Sequence, residues 1–330
     1  MRTRRTILIG FCGGALTWLA GCGGSSHSPT EKYWLVATNI KITYWQSANA
    51  GLLRAAQQIG VKAEMVGPDS FDPKAEHEAF QKVLAEKIKP AGIMVSVADP
   101  VVIQPDIDAA IGQGVPVITV DSDAPASKRL TFIGTDNYKA GLMGAQLAVK
   151  QLQGKGNVVL FTIPEQANLK ERLHGYHDGF EGHPGIKIVE TVDMKGQPTI
   201  AFDHTQELVD KKSIDKIDGF ICLEAIACPE VADVLDRNKI GSKVIVAMDT
   251  DRTLDWIKKD RIAGTIAQKP FSMGFVGVQA LETLHHYPPN PLDKLWAQDP
   301  HSPVATFIGT GEMLVDKSNV DTVISTTSQK

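Results

Sequence analysis

Ten short, mostly apolar runs, each separated from the next by roughly the length of a helix, constrain this chain more than any other feature. They fall at residues 34–38, 63–66, 92–97, 115–120 and 131–133, and again at 157–162, 187–191, 219–222, 244–247 and 264–266. A run such as Val117-Ile118-Thr119-Val120 has no polar alternation, which suits a strand covered on both faces of a parallel sheet. Stretches of helical spacing lie between them at 46–59, 73–87, 101–113, 169–180, 200–211, 229–238 and 253–259. Asp72-Pro73 offers an N-cap followed by proline at the first helical position. Gly114 ahead of Val115-Pro116 ends a helix and opens a strand. Such alternation predicts right-handed βαβ units, and a helix over 137–153 divides them into two similar sets. The expected fold is therefore α/β, with two doubly wound parallel-sheet lobes. Beyond them lie a helix at 271–286, a proline-rich loop at 288–291 and short runs at 305–308 and 313–315. That is too little for a third domain, so the tail should return to complete the lobes, making a multi-strand hinge.

The 330 residues suit two domains rather than one. A net charge of −4, with no basic stripe beyond residue 5, argues against nucleic acid as a partner. Arg2, Arg4 and Arg5 precede an apolar stretch over 6–20 that has the length of a signal peptide and is short for a permanent span. It ends in Leu19-Ala20-Gly21-Cys22, which resembles a bacterial lipobox, where small residues admit a peptidase and the Cys22 sulfur takes the lipid. The alternative is an ordinary signal peptide with an incidental cysteine. Arg4-Arg5 is also weakly similar to a twin-arginine export signal. Residues 23–31 then form a Gly/Ser-rich tether. Cys12 leaves with the signal, while Cys222 and Cys228 can pair in an oxidising compartment or stay as two buried thiols. No histidine stands at ligand spacing beside them, so no metal is expected there.

Catalytic motifs are missing from the sequence: there is no Gly-x-Ser-x-Gly elbow, no His-Glu-x-x-His and no P-loop. The Gly154-Lys155-Gly156 turn follows a helix and opens a strand, the wrong order for a phosphate loop. His174, His177, His183 and the adjacent His285-His286 read as solvated faces rather than metal ligands. Asp121 and Asp249 could serve as a glycosidase pair, although a sealing cleft would deny them the water they need. The chain is thus expected to be no enzyme and to need no cofactor or metal.

Several strings in fixed order resemble one family. Pro116-Val117-Ile118-Thr119-Val120-Asp121 is followed by Phe132-Ile133-Gly134-Thr135-Asp136-Asn137 and a Gly-rich helix. Glu171-Arg172-Leu173-His174-Gly175-Tyr176, Val246-Ala247-Met248-Asp249 and Gly264-Thr265-Ile266-Ala267-Gln268-Lys269-Pro270 come later, so the likeness spans nearly all of 33–316. Together they are similar to the periplasmic sugar-binding proteins of the ribose-binding type (periplasmic binding protein type 1). Lac-repressor-type regulators share that fold but carry a helix-turn-helix where this chain has its signal-like segment.

The resemblance implies two Rossmann-like lobes, residues 32–134 with 269–308 and residues 135–268 with 309–330, preceded by a signal peptide over 1–22. Chain crossings near 134–137, 268–270 and 307–311 would form the hinge. A ligand cleft would lie at the carboxyl ends of both sheets, where open parallel sheets bind ligands in any case. First-lobe candidates are Tyr44, Trp45, Ser96, Asp121 and Ser122. Those of the second lobe are Lys170, Arg172, Met194, Glu224, Asp249 and Gln268. Aromatic rings can cover the C–H faces of a sugar, while carboxylates accept from neighbouring hydroxyls and Lys, Arg and Gln donate to the same oxygens. The chain departs from the ribose pattern at Ile42 and Thr43, where asparagine and proline are usual. Ser122 and Lys170 replace arginines, and Glu224 replaces an asparagine. Two guanidinium forks are lost and a carboxylate is gained, which points away from ribose to another monosaccharide, a sugar alcohol, a cyclitol or an amino sugar. The implied partners are an ABC transporter permease with its ATPase and, through Cys22, the membrane, with the protein itself a monomer. A sensor that signals through a separate membrane receptor is the alternative role.

Overall fold

In the computed structural model, described for residues 27–249 and 252–327, the apolar runs form two six-stranded sheets. The first holds β1 (Lys32–Val36), β2 (Lys62–Val66), β3 (Gly92–Val95), β4 (Val117–Val120), β5 (Phe132–Gly134) and β11 (Phe307–Gly309). Their spatial order is β11-β5-β4-β3-β1-β2, with every pairing parallel. The second holds β6 (Lys155–Thr162), β7 (Gly185–Asp193), β8 (Gly219–Cys222), β9 (Val244–Met248), β10 (Gly264–Ala267) and β12 (Met313–Asp316). Here the order is β12-β10-β9-β8-β6-β7, and only the last-arriving strand, β12, runs antiparallel. The two sheets thus repeat one topology, as the repeated pattern of runs requires.

Local chemistry sets the helix starts. Asp72 accepts from the Lys74 and Ala75 amides at the head of α2 (Pro73–Leu84). Asp99 and Asp136 cap α3 (Pro100–Gly112) and α4 (Asn137–Leu152) in the same way. Each cap satisfies amides that a helix start leaves without partners, stabilising it by about 1 kcal/mol. The central strands β3, β4, β8 and β10 are buried along their whole length, and each sheet has its own apolar core. The tail returns as expected: α9 (Pro270–His286) packs on the first sheet against α1 (Thr43–Ile59), whereas β12 closes the edge of the second. One element not foreseen in the sequence, α10 (Val320–Thr327), follows β12.

The chain passes from sheet to sheet three times: between β5 and α4, between β10 and α9, and between β11 and β12. Close helix contacts brace both sides of these crossings. A Cβ at Gly175, on α5 (Ala167–Glu181), would lie 2.2 Å from the Tyr138 carbonyl oxygen, and one at Gly141 would lie 2.1 Å from that of Arg172. Only glycine admits this approach of α4 to α5, and the contact fixes the helix that carries Arg172. Among the described residues no helix is long and apolar enough to cross a membrane. Cys22 lies outside them.

Candidate functional site

Strand order reverses between β1 and β3 in the first sheet and between β6 and β8 in the second, and crevices at such points bind ligands. A cavity opens there between the halves. Tyr44, Phe71 and Asp121 line it from one side, and Asn168, Arg172, Glu224 and Asp249 from the other. At one edge the halves touch: Phe71 packs against the apolar core of the second sheet and meets Gly196, where a Cβ would come within 2.3 Å of its own Cβ.

The two aspartates hold equivalent places. Asp121 follows β4 and Asp249 follows β9, and both have φ of 65°, in the left-handed region. A non-glycine residue held there costs about 1–3 kcal/mol and persists where its surroundings dictate it. Each aspartate amide donates to the neighbouring strand, Asp121 to Ile133 O at 3.1 Å and Asp249 to Ile266 O at 2.9 Å. Asp121 Oδ1 accepts from the Tyr44 hydroxyl at 2.6 Å. Its Oδ2 accepts from Ser96 Oγ at 3.3 Å and, across the cleft, from Asn168 Nδ2 at 3.5 Å. Among the described residues the Asp249 carboxylate is held by Gln268, whose amide donates to Oδ1 at 3.1 Å and whose Nε2 donates to Oδ2 at 2.7 Å.

Arg172 is the largest fully buried side chain among the described residues. Its guanidinium donates to Leu223 O, to Asn137 Oδ1 and, at 3.4 Å, to Gln268 Oε1. Thr135 Oγ1 donates to the same Gln268 oxygen at 2.8 Å, so Gln268 ties a chain crossing to both charges. The Nε of Arg172 has no hydrogen-bond partner among the described residues. Glu224 accepts from the Ile226 and Ala227 amides at 2.7 and 3.0 Å, at the head of α7 (Ala227–Arg237). Cys222 and Cys228 form a disulfide with their Cα atoms 5.7 Å apart, closing the loop that holds Glu224.

Burial dominates the electrostatics. It pushes Asp249 up to about 6, against donation from Gln268 and the field of Arg172, and Glu224 up to about 7. Asp121 is also raised by burial, opposed by the Tyr44 hydroxyl and Arg172. The same burial lowers Arg172, which Asp249 and Asp121 counter. Two buried carboxyl groups, Asp121 and Asp249, and the half-buried Glu224 around one guanidinium make a site that gains from any ligand able to donate hydrogen bonds.

Of the eleven residues expected at the cleft, Tyr44, Trp45, Asp121, Arg172, Glu224 and Asp249 line this cavity. Trp45 is mostly core, 2% exposed, with its ring edge-on to Tyr44 at 5.2 Å between centroids. Ser96 and Gln268 stand behind the wall and act on the two aspartates. The other three lie elsewhere. Met194 fills the core of the second sheet. Ser122 is wholly buried behind Asp121, its amide bonded back to Val120 O. Lys170 is turned outward, its side chain 58% exposed and 3.9 Å from Glu165. Asn168 and Phe71 were not foreseen. Asn168 is marked only by lying one helical turn before Arg172, and Phe71 by nothing beyond an aromatic residue in a polar loop.

A model of the periplasmic binding protein domain matches residues 33–285. The ribose import binding protein of Bacillus subtilis is 23% identical over 284 residues, 79% of this chain and 85% of that protein. An arabinose-binding protein from Geobacillus stearothermophilus superposes with a TM-score of 0.73 at 29% identity, covering 88% of this chain and 98% of the other. An ABC transporter solute-binding protein from Burkholderia graminis, solved with D-arabinose, gives 0.78 at 26% identity over 88% and 96%.

Proposed function

The chain belongs to the periplasmic binding protein domain family, and we propose that it captures a small sugar-like molecule between its lobes by hinge closure and delivers it to an ABC-type permease and ATPase. One observation carries this reading: Asp121 and Asp249, equivalent residues of opposite halves, line a single cavity with Arg172 between them in the charge network. A ligand that touches both walls favours the closed form by its differential contacts. The proposed lobes are residues 32–134 with 269–308 and residues 135–268 with 309–330; the division of strands between the two sheets supports them except at Gly309, the last residue of β11, which pairs with Gly134 in the first sheet. The role is binding without turnover.

The polar wall defines the ligand class. Carboxylates of Asp121, Asp249 and Glu224 can each accept from hydroxyls, Arg172 Nε has no acceptor among the described residues, and Tyr44 offers an aromatic face. A monosaccharide, sugar alcohol or cyclitol meets these demands, and an amino sugar meets the excess of acid over base as well. The protein works outside the cytoplasm, exported by residues 1–22 and held as a monomer on the membrane through a lipid on Cys22 and the tether over 23–31. Replacing Cys22 by alanine moves it to the soluble fraction.

Titration calorimetry with a panel of pentoses, hexoses, sugar alcohols, cyclitols and amino sugars tests the reading, with native mass spectrometry of the purified protein to find a retained ligand. Saturation with the best binder should shrink the radius of gyration in solution scattering. Heat only from amino acids or metal ions, or hydrolysis of chromogenic glycosides, refutes it.

A further inference from the structure

Beside the first chain crossing, and sharing Asn168 with the ligand cavity, lies a second cavity of about 510 Å³. One of its walls repeats a tripeptide. Phe132-Ile133-Gly134 forms β5 and Phe307-Ile308-Gly309 forms β11, and the strands pair in parallel with Phe132 opposite Phe307 and Gly134 opposite Gly309. Residues two apart share a face of a strand, so each phenylalanine has a glycine next to it on that face. Both rings lean over those glycines. A Cβ at Gly134 would come within 2.7 Å of the Phe132 ring, and one at Gly309 within 3.4 Å of the Phe307 ring. The lean carries the rings toward the carboxyl ends of the strands, where ligands of parallel sheets bind. They stack with centroids 5.4 Å apart and planes at 25°. Of the three large aromatic side chains that stand exposed among the described residues, Phe307 and Tyr138 line this cavity.

The rest of the lining is polar. Lys170 and Glu171 reach it from the head of α5, and Asp123 from the loop after β4, held by Arg129 through two bonds of 2.7 and 2.6 Å. One hydrogen-bond network joins the two cavities. Asn168 lines both, and its Nδ2 reaches Asp121 at 3.5 Å, longer than a usual amide bond. Asn137 on the outer wall accepts from Arg172 on the inner one.

We propose that the outer cavity is a second sugar subsite, taking a further unit joined by a glycosidic link to the one held by Asp121 and Asp249. The inference rests on the cleft reading and extends its ligand from one ring to two. A sugar ring has C–H faces and a rim of hydroxyls. The stacked phenylalanines give the faces a flat apolar surface, while Lys170 donates to the hydroxyls and Glu171 and Asp123 accept from them. The volume lies within the range of about 300–1,000 Å³ usual for small-molecule sites. A link between the units has the long Asn168–Asp121 bond to displace, and the Asn168 amide can then serve the ligand. A wholly apolar group would use the rings and leave the charged groups idle. Lys170, which the inner wall leaves out, belongs to this outer one.

Titration calorimetry compares arabinose, xylose, glucose, galactose and myo-inositol with arabinobiose, xylobiose, cellobiose, lactose and galactinol. At least one two-unit ligand should bind about tenfold more tightly than either of its units, the worth of one good aromatic contact. Phe307→Ala should erase that gain and leave single-unit affinity unchanged. Phe307→Leu, which keeps an apolar side chain on the edge strand without the flat ring, should do the same, and urea unfolding verifies that both variants fold. Single units that bind while no two-unit ligand gains overturn this inference and leave the cleft reading standing. Where no member of either set binds, both fall. A gain from 4-nitrophenyl glycosides but from no two-unit sugar assigns the rings to an aromatic group and overturns the subsite, as does a two-unit gain that survives both Phe307 variants.

Discussion

Replacing Glu224 by glutamine should favour the ligand-free protein progressively more as pH rises from 4 to 8, although it alters a cavity wall. Burial pushes the Glu224 carboxyl from 4.5 to about 7, despite amide donation from Ile226 and Ala227 and the attraction of Arg172. A carboxyl raised on folding holds its proton more tightly in the folded state. Its stabilising contribution is therefore complete below about pH 4.5 and is lost as pH rises through about 7. Ionising this group in the fold costs about 3 kcal/mol, from about 1.4 kcal/mol per tenfold change in proton affinity over that interval. Glu224 is half-open to the cavity, where water screens part of the charge, so a shift of about 1–3 kcal/mol in favour of the variant is expected between pH 4 and pH 8. At pH 4 the two side chains have nearly the same shape, but glutamine's Nε2 cannot accept from the Ile226 or Ala227 amide as a carboxyl oxygen can, so the variant should be the less stable there by about 1 kcal/mol. Urea unfolding at intervals from pH 4 to pH 8, without ligand, reads the effect directly. A difference that stays flat across this range refutes the argument that burial strains this carboxylate. The same logic applies to binding: a ligand that donates to Glu224 favours its ionised form, so binding near pH 7 should release protons, seen as an enthalpy that varies with the buffer.

Asp121→Asn and Asp249→Asn should each weaken ligand binding by about 1.5–3 kcal/mol, the usual worth of a charge-assisted hydrogen bond, measured by calorimetry with the best ligand of the panel. Gly175→Ala should destabilise the fold by about 1–3 kcal/mol, because its Cβ would meet the Tyr138 carbonyl oxygen and the Leu142 amide nitrogen at 2.2 and 2.9 Å; urea unfolding measures it. Reduction of the Cys222–Cys228 disulfide, which spans a sequence separation of 6, should cost about 2 kcal/mol by loop closure. It should also lower ligand affinity through the loop that carries Glu224, as comparison with and without reductant would reveal.

Features carried by local pattern were legible in the sequence, and features set by rotation or by distant chain were not. The central strands could be found because parallel sheets covered on both faces demand unbroken apolar runs, and Asp121 and Asp249 because they end two of the apolar runs. Lys170 shows where this reasoning fails. Residues 168, 172 and 175 fall on one face of α5, at i, i+4 and i+7, whereas 170 lies about 200° around from 168. Arg172 and Asn168 therefore turn inward together, and Lys170 must point to solvent. Helical phase alone would have exchanged Lys170 for Asn168. Met194 fails differently: it follows an edge strand, and its amide bonds Thr162 O, which draws its side chain into the core of the second sheet. Ser122 follows a residue in the left-handed region, where the chain reverses on itself, so being next to Asp121 does not place it on the same wall. Adjacent histidines at 285 and 286 read as a solvated face because, Glu282 on the same helix aside, nothing near them in sequence supplies a buried carboxylate. Glu31 does so only after α9 has crossed back to lie beside the start of β1. The device that makes the cleft, a chain passing three times between its halves, is the same one that brings the two ends of the first lobe together.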